Sequence, residues 1–120
     1  MMADRLMLLP RHRRMVEETL QQHVPGAEVW AYGSRVNGRA HEASDLDLAV
    51  RGPALQPIGA KLARLVEAFK ESDLPIIVQV CDWGRLPKSF QREIERDYVV
   101  VQPGLDERPA QETGNASANG

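Results

Sequence analysis

Gly33-Ser34-Arg35-Val36-Asn37-Gly38-Arg39-Ala40-His41-Glu42-Ala43-Ser44-Asp45-Leu46-Asp47-Leu48-Ala49-Val50 decides how this chain is read. Just before it, Val29-Trp30-Ala31-Tyr32 crowds β-branched and aromatic residues into a run too short for a helix and ends at a glycine, which predicts a short strand. A small-residue turn therefore follows a strand. Asp45-Leu46-Asp47-Leu48-Ala49-Val50 alternates polar and apolar residues until Val50, as a strand does when one face meets a core and the other a cleft. Residues i and i+2 of a strand share a face, so Asp45 and Asp47 sit side by side while Leu46 and Leu48 turn inward.

Outward on the N-terminal side, Pro10 can open a helix because its fixed φ and missing N–H are harmless in a first turn. Met15, Val16, Leu20 and Val24 then fall near helical spacing, opposite Arg13, Arg14, Glu17, Glu18, Gln21 and Gln22, and Pro25-Gly26 ends this amphipathic helix. On the C-terminal side, Arg51-Gly52-Pro53 breaks the aspartate strand. Leu55, Ile58, Leu62, Leu65, Val66 and Phe69 predict a second helix, with Pro57 in or before its first turn and Glu71-Ser72-Asp73 closing it. Ile76-Ile77-Val78-Gln79-Val80-Cys81 is a nearly continuous β-favouring run, expected to be a strand buried on both faces apart from Gln79. Asp82 or a nearby residue is expected to cap the next turn, and Pro87 precedes a short helix with Phe90, Ile94 and Tyr98 at i, i+4 spacing. Tyr98 to Val101 packs on the domain or extends the sheet. The order helix, strand, strand, helix, strand, helix defines an α/β (α+β) domain, a small mixed sheet flanked by helices. Residues 1–102 form that domain; from 103 to 120 the composition turns polar and Gly- and Pro-containing without apolar periodicity, the signature of a disordered tail.

Composition narrows the function classes. The chain has 120 residues, enough for one modest domain. Fifteen Lys and Arg against seventeen Asp and Glu leave a formal charge of -2, so no overall field draws bulk nucleic acid or an anionic membrane. Arg5, Arg11, Arg13 and Arg14 with His12 form the basic cluster, which reads as the wet face of the first helix. Cys81 is the sole cysteine, so an internal disulfide and a cysteine metal cluster are excluded and a reducing, cytoplasmic setting is expected. No segment has the apolar length of a membrane span or a signal peptide, and Asn115-Ala116-Ser117 is a chance glycosylation tripeptide.

Two carboxylates on one strand face repel unless a cation lies between them or one holds a proton. A divalent cation is the economical answer: Mg²⁺, or alternatively Mn²⁺, takes oxygen ligands and is commonly held by one or two carboxylates with waters and substrate phosphates completing the shell. The Gly33-Ser34 turn supplies the complementary half. A missing Cβ lets backbone approach a phosphate, while N–H groups, the Ser34 hydroxyl and a following helix N-terminus donate to it, with Arg35 or Arg39 adding charge. Either piece alone is common in ordinary turns and loops; together they supply phosphate donors and metal acceptors to one cleft.

Gly33-Ser34-Arg35 through Ser44-Asp45-Leu46-Asp47-Leu48-Ala49-Val50 resembles the signature of the minimal nucleotidyltransferases, small members of the DNA polymerase beta-like superfamily, and the likeness extends from about Leu6 to Gln102. The resemblance implies a nucleotidyltransferase fold, triphosphate binding by Gly33, Ser34 and Arg35, metal binding and catalysis by Asp45 and Asp47, and transfer of a nucleoside monophosphate from an NTP, ATP by preference, to a hydroxyl of a protein or other acceptor. It also implies a partner, a small helical HEPN-type protein to which such a chain can be antitoxin; a homo-oligomer is the other assembly considered.

One position departs from the pattern. The family expects a third carboxylate in a segment like Val-Asp-Val-Val-Asp-Trp, whereas this chain reads Val78-Gln79-Val80-Cys81-Asp82-Trp83. Asp82-Trp83 fixes the register, so Gln79 occupies the third acidic position. A glutamine offers a neutral carbonyl oxygen but cannot accept a proton at useful pH. The alternative function is therefore a catalytically impaired nucleotide-binding or partner-binding subunit. Asp82 lies three residues on and faces away in a regular strand, where its expected role is a structural cap. Cys81 shares the parity of Gln79, but a buried cysteine is a small hydrophobe and a poor Mg²⁺ ligand. His41 is expected as a surface loop residue.

Overall fold

The computed structural model describes residues 5–41 and 43–104. The chain runs α1 (Pro10–His23), β1 (Glu28–Tyr32), α2 (Ser34–Asn37), β2 (Leu46–Arg51), a 3-10 turn (Pro53–Leu55), α3 (Ala60–Glu71), β3 (Val78–Asp82), a second 3-10 turn (Trp83–Arg85), α4 (Lys88–Glu95) and β4 (Tyr98–Gln102). The four strands form one mixed sheet in the order β3-β2-β1-β4. β1 runs antiparallel to β2 and to β4, and β2 runs parallel to β3. A parallel pair needs a crossover connection, and α3 supplies it.

Strand alternation splits the sheet into two differently used faces. Leu46, Leu48 and Val50 join Val29 and Ala31 beneath α1 and α3, where Val16, Leu20, Leu65 and Phe69 complete the main core. The opposite face carries a second, aromatic cluster of Trp30, Ala49, Trp83 and Ile94, with Tyr32, Cys81, Leu86 and Tyr98 packed against it. Trp30 stacks on Tyr98 with ring centroids 3.7 Å apart and meets Trp83 edge-on at 5.1 Å. Arg51 lays its guanidinium over Trp30 at 4.1 Å and pairs with Glu28, so its charge is both matched and stacked. This cluster closes one end of the face. Asp47 and Gln79 stand on the same face towards its other end.

Four expectations are corrected. The second helix begins at Ala60 and not near Leu55, because Ala54 and Leu55 take positive φ and Leu55 is exposed. β3 is an edge strand bonded only to β2, so it is half-buried, and Ile77 just before it is 63% exposed. Asp82 does not cap the turn that follows it: its carboxylate accepts the N–H groups of Ile58 at 3.0 Å and Gly59 at 3.3 Å, ahead of α3. The Arg35 side chain, expected to bring charge to the triphosphate, is instead buried among backbone carbonyls, as set out below. The Tyr98 run resolves as β4, the second edge of the sheet. At the end of the domain Gly104 is still buried against Glu28; the rest of the tail, 105–120, lies outside the described residues.

Candidate active site

Backbone pairing lines up the central residues. Tyr32 of β1 pairs with Asp47 of β2, and Asp47 pairs with Gln79 of β3. Asp45 lies just before β2, where Leu46 N–H donates to Ile77 O at 2.9 Å and holds the strand start against the segment leading to β3. The Gln79 side-chain amide donates to Asp45 Oδ2 at 3.3 Å. The three side chains Asp45, Asp47 and Gln79 therefore share one end of one sheet face, as the Asp-x-Asp spacing and the Asp82-Trp83 register predict.

The turn is built against the second aspartate. Gly33 has φ +84°, a region that favours glycine, and a Cβ there would lie 2.5 Å from Asp47 Oδ2. Glycine is required twice over, by conformation and by space. From Gly33 the chain enters one turn of helix, whose Val36 and Asn37 N–H groups bond Gly33 O, and Gly38 closes it in the left-handed region. Ser34 and Arg35 open that turn. They start from the residue that touches Asp47.

Electrostatics agree with the crowding. Burial raises the Asp47 carboxyl above its ordinary 3.8, and the neighbouring charge of Asp45 raises it further. The structure thus holds two carboxylates together at a cost that a cation would relieve. Two carboxylates and the Gln79 amide group form a hard-oxygen donor set that fits Mg²⁺ arriving with phosphate ligands of its own, and not a closed all-protein cage.

Other predicted residues fall elsewhere. Arg35 is 5% exposed; its guanidinium donates to Ser44 O at 3.0 Å and Met7 O at 2.7 Å. It ties the segment before α1 and the loop before β2 to the Gly-Ser turn. His41 is exposed and turns its own loop, its Nδ1 accepting from Ala43 N–H at 3.2 Å. Burial pushes the Cys81 thiol up, which removes it as a thiolate.

Tyr32 is the residue that sequence reasoning missed. Its hydroxyl lies 3.6 Å from Cys81 Sγ, and since Tyr32 belongs to β1 and Cys81 to β3, the ring crosses β2. Ala49, between Asp47 and Arg51 on that face, leaves the room. Burial is the main reason the phenol is pushed well above its usual range. The only hint in the sequence is an alanine where strand β2 could have carried a larger residue.

This fold and this turn-plus-carboxylate arrangement are those of a nucleotidyltransferase domain. The chain belongs to the nucleotidyltransferase domain family, whose model matches residues 13–102. Over 88 residues it is 47% identical to the probable protein adenylyltransferase MntA of Haemophilus influenzae, a match that spans 73% of this chain and 76% of that protein. Within the family it is of the minimal type. A crystal structure of a toxin-antitoxin with AMP-PNP has the same fold, with a TM-score of 0.64 and 17% identity over 82% of this chain and 77% of that one.

Proposed function

We propose that the protein binds a magnesium nucleoside triphosphate, ATP by preference, and transfers the nucleoside monophosphate to a hydroxyl of a protein acceptor. The contact of Gly33 with Asp47 carries this reading, because it joins phosphate donors and metal ligands in one cleft. The Ser34 and Arg35 amides and the Ser34 hydroxyl hold the triphosphate. Asp45 and Asp47 hold the cation, which when bound offsets phosphate charge and polarises the phosphoryl group. The acceptor hydroxyl gives up its proton to solvent as its oxygen attacks the α-phosphorus, and the bond to the β-phosphate breaks, releasing pyrophosphate. Similarity to a protein named as a protein adenylyltransferase supports a protein acceptor and adenylyl transfer. On this reading the protein acts in the cytoplasm as the antitoxin of a pair whose other member is a small helical HEPN-type protein; a toxin-antitoxin structure with the same fold is in keeping with a paired role.

Gln79 sets the rate. It stands beside Asp47 where a carboxylate would take the acceptor proton, and its amide instead donates to Asp45. Labelled ATP, Mg²⁺ and the co-expressed partner test the activity, and Gln79→Asp is expected to raise transfer roughly a hundredfold, about 2.7 kcal/mol of barrier. Strong transfer by Gln79→Asp with none by the wild type would overturn native catalysis. That outcome would favour the second reading, a nucleotide-binding regulatory subunit, which Gln79 itself motivates. Calorimetry then separates Mg²⁺-dependent ATP binding without turnover from no binding at all.

A further inference from the structure

We infer that Phe90, standing on the ring of Tyr32, is the aromatic wall that takes the nucleobase of the bound nucleotide. The inference rests on the nucleotide-binding reading above and adds the group that holds the base. Tyr32 is the register partner of Asp47, and its ring crosses β2 on the carboxylate face. Phe90 meets that ring edge to face, with centroids 5.9 Å apart and planes at 84°. One turn further along α4, Ile94 is buried in the Trp30–Trp83 cluster, which sets how the helix lies on the sheet. Phe90 is thereby placed beyond that cluster, and it keeps 39% of its surface exposed.

An exposed aromatic ring forfeits the free energy that burial would supply. The other large hydrophobics exposed among the described residues, Met7, Leu9, Leu55, Ile77 and Val100, are aliphatic; Phe90 alone offers a π-face. It rests on the residue that immediately precedes the Gly33-Ser34 turn. A triphosphate anchored on that turn carries a planar base that needs such a face, and stacking accepts any base because every base has one. Tyr32 is the positioning residue of the pair, its hydroxyl held at Cys81, and Phe90 is the contact.

Calorimetry on the full chain in Mg²⁺, with ATP and with inorganic tripolyphosphate, tests this. Phe90→Leu keeps an apolar side chain and removes the π-face; circular dichroism verifies its fold. Its ATP dissociation constant is expected to rise about tenfold while that for tripolyphosphate changes by less than about twofold, and Phe90→Trp is expected to retain ATP affinity. Unchanged ATP binding by Phe90→Leu, or an equal loss of both ligands, overturns the inference. A wild type that binds ATP no better than tripolyphosphate overturns it and leaves the nucleotide-binding reading standing, whereas a wild type that binds neither ligand overturns both.

Discussion

Asp47 shows at the residue scale how function is built against stability. Its carboxyl is raised by burial first and by Asp45 second. A raised folded-state value means that the folded protein holds the proton more tightly than the unfolded chain. Asp47's own contribution to stability is then fully present below its ordinary value of 3.8 and is lost as pH rises through the raised folded-state value. Asp47→Asn removes the ionisation, so the variant is expected to be more stable than the wild type at neutral pH, with the difference shrinking on acidification, as thermal midpoints across a pH series would show. Mg²⁺ should raise the wild-type midpoint and leave that of Asp47→Asn nearly unchanged. Gly33→Ala tests the opposing wall. Its backbone, at φ +84° and ψ −154°, lies in an extended positive-φ region that costs a residue with a Cβ about 1–3 kcal/mol, and the added methyl must displace Asp47 Oδ2, now 2.5 Å from where it would sit. Urea unfolding should show the stability loss, and calorimetry a loss of ATP affinity of roughly tenfold or more. The two aspartates and the glycine were legible from spacing and residue type. The close approach of Gly33 to Asp47 was not, since it depends on how β1 and β2 pair.

At the scale of elements, Asp82 shows why strand parity is informative. It sits three residues after Gln79 and so faces the α3 side of the sheet, where it receives the Ile58 and Gly59 N–H groups and is 4% exposed. Asp82→Ala removes the carboxylate that accepts from the half-buried Ile58 N–H and the exposed Gly59 N–H, and the loss of these charge-assisted hydrogen bonds is expected to cost about 1–3 kcal/mol by chemical denaturation. Its ATP affinity, measured by calorimetry under native conditions, should stay within about twofold of the wild type; a large loss would place Asp82 in the site after all. Parity alone turned Asp82 away from the cleft. Which donors it meets depends on the loop leading into α3, and the sequence offers no local signal for that long-range contact. The same limit applies to β3: its apolar run matches a central strand, but it lies at the edge because only β2 lies beside it.

Across the whole molecule, the sheet separates two tasks. One face is sealed by α1 and α3 over an aliphatic core, and the other is only partly covered, by an aromatic cluster that stops short of the carboxylates. On the proposed reading the nucleotide lies on this partly covered face, and the protein acceptor is expected to be the partner. Co-expression with the proposed small helical partner followed by size-exclusion chromatography should yield a stable complex, and a lone monomer at every mixing ratio would count against the assembly.

The sequence by itself determined the order of elements, the identity of the two carboxylates and the glycine turn, and the substitution at Gln79, because each follows from side-chain periodicity or from residue chemistry within a few positions. Tertiary structure decided the burial of the Arg35 side chain, the path of Tyr32 across β2 to Cys81, the edge position of β3 and the exposure of Phe90. These depend on contacts between residues far apart in the chain, whose geometry is set only when the strands pair and the helices pack on them.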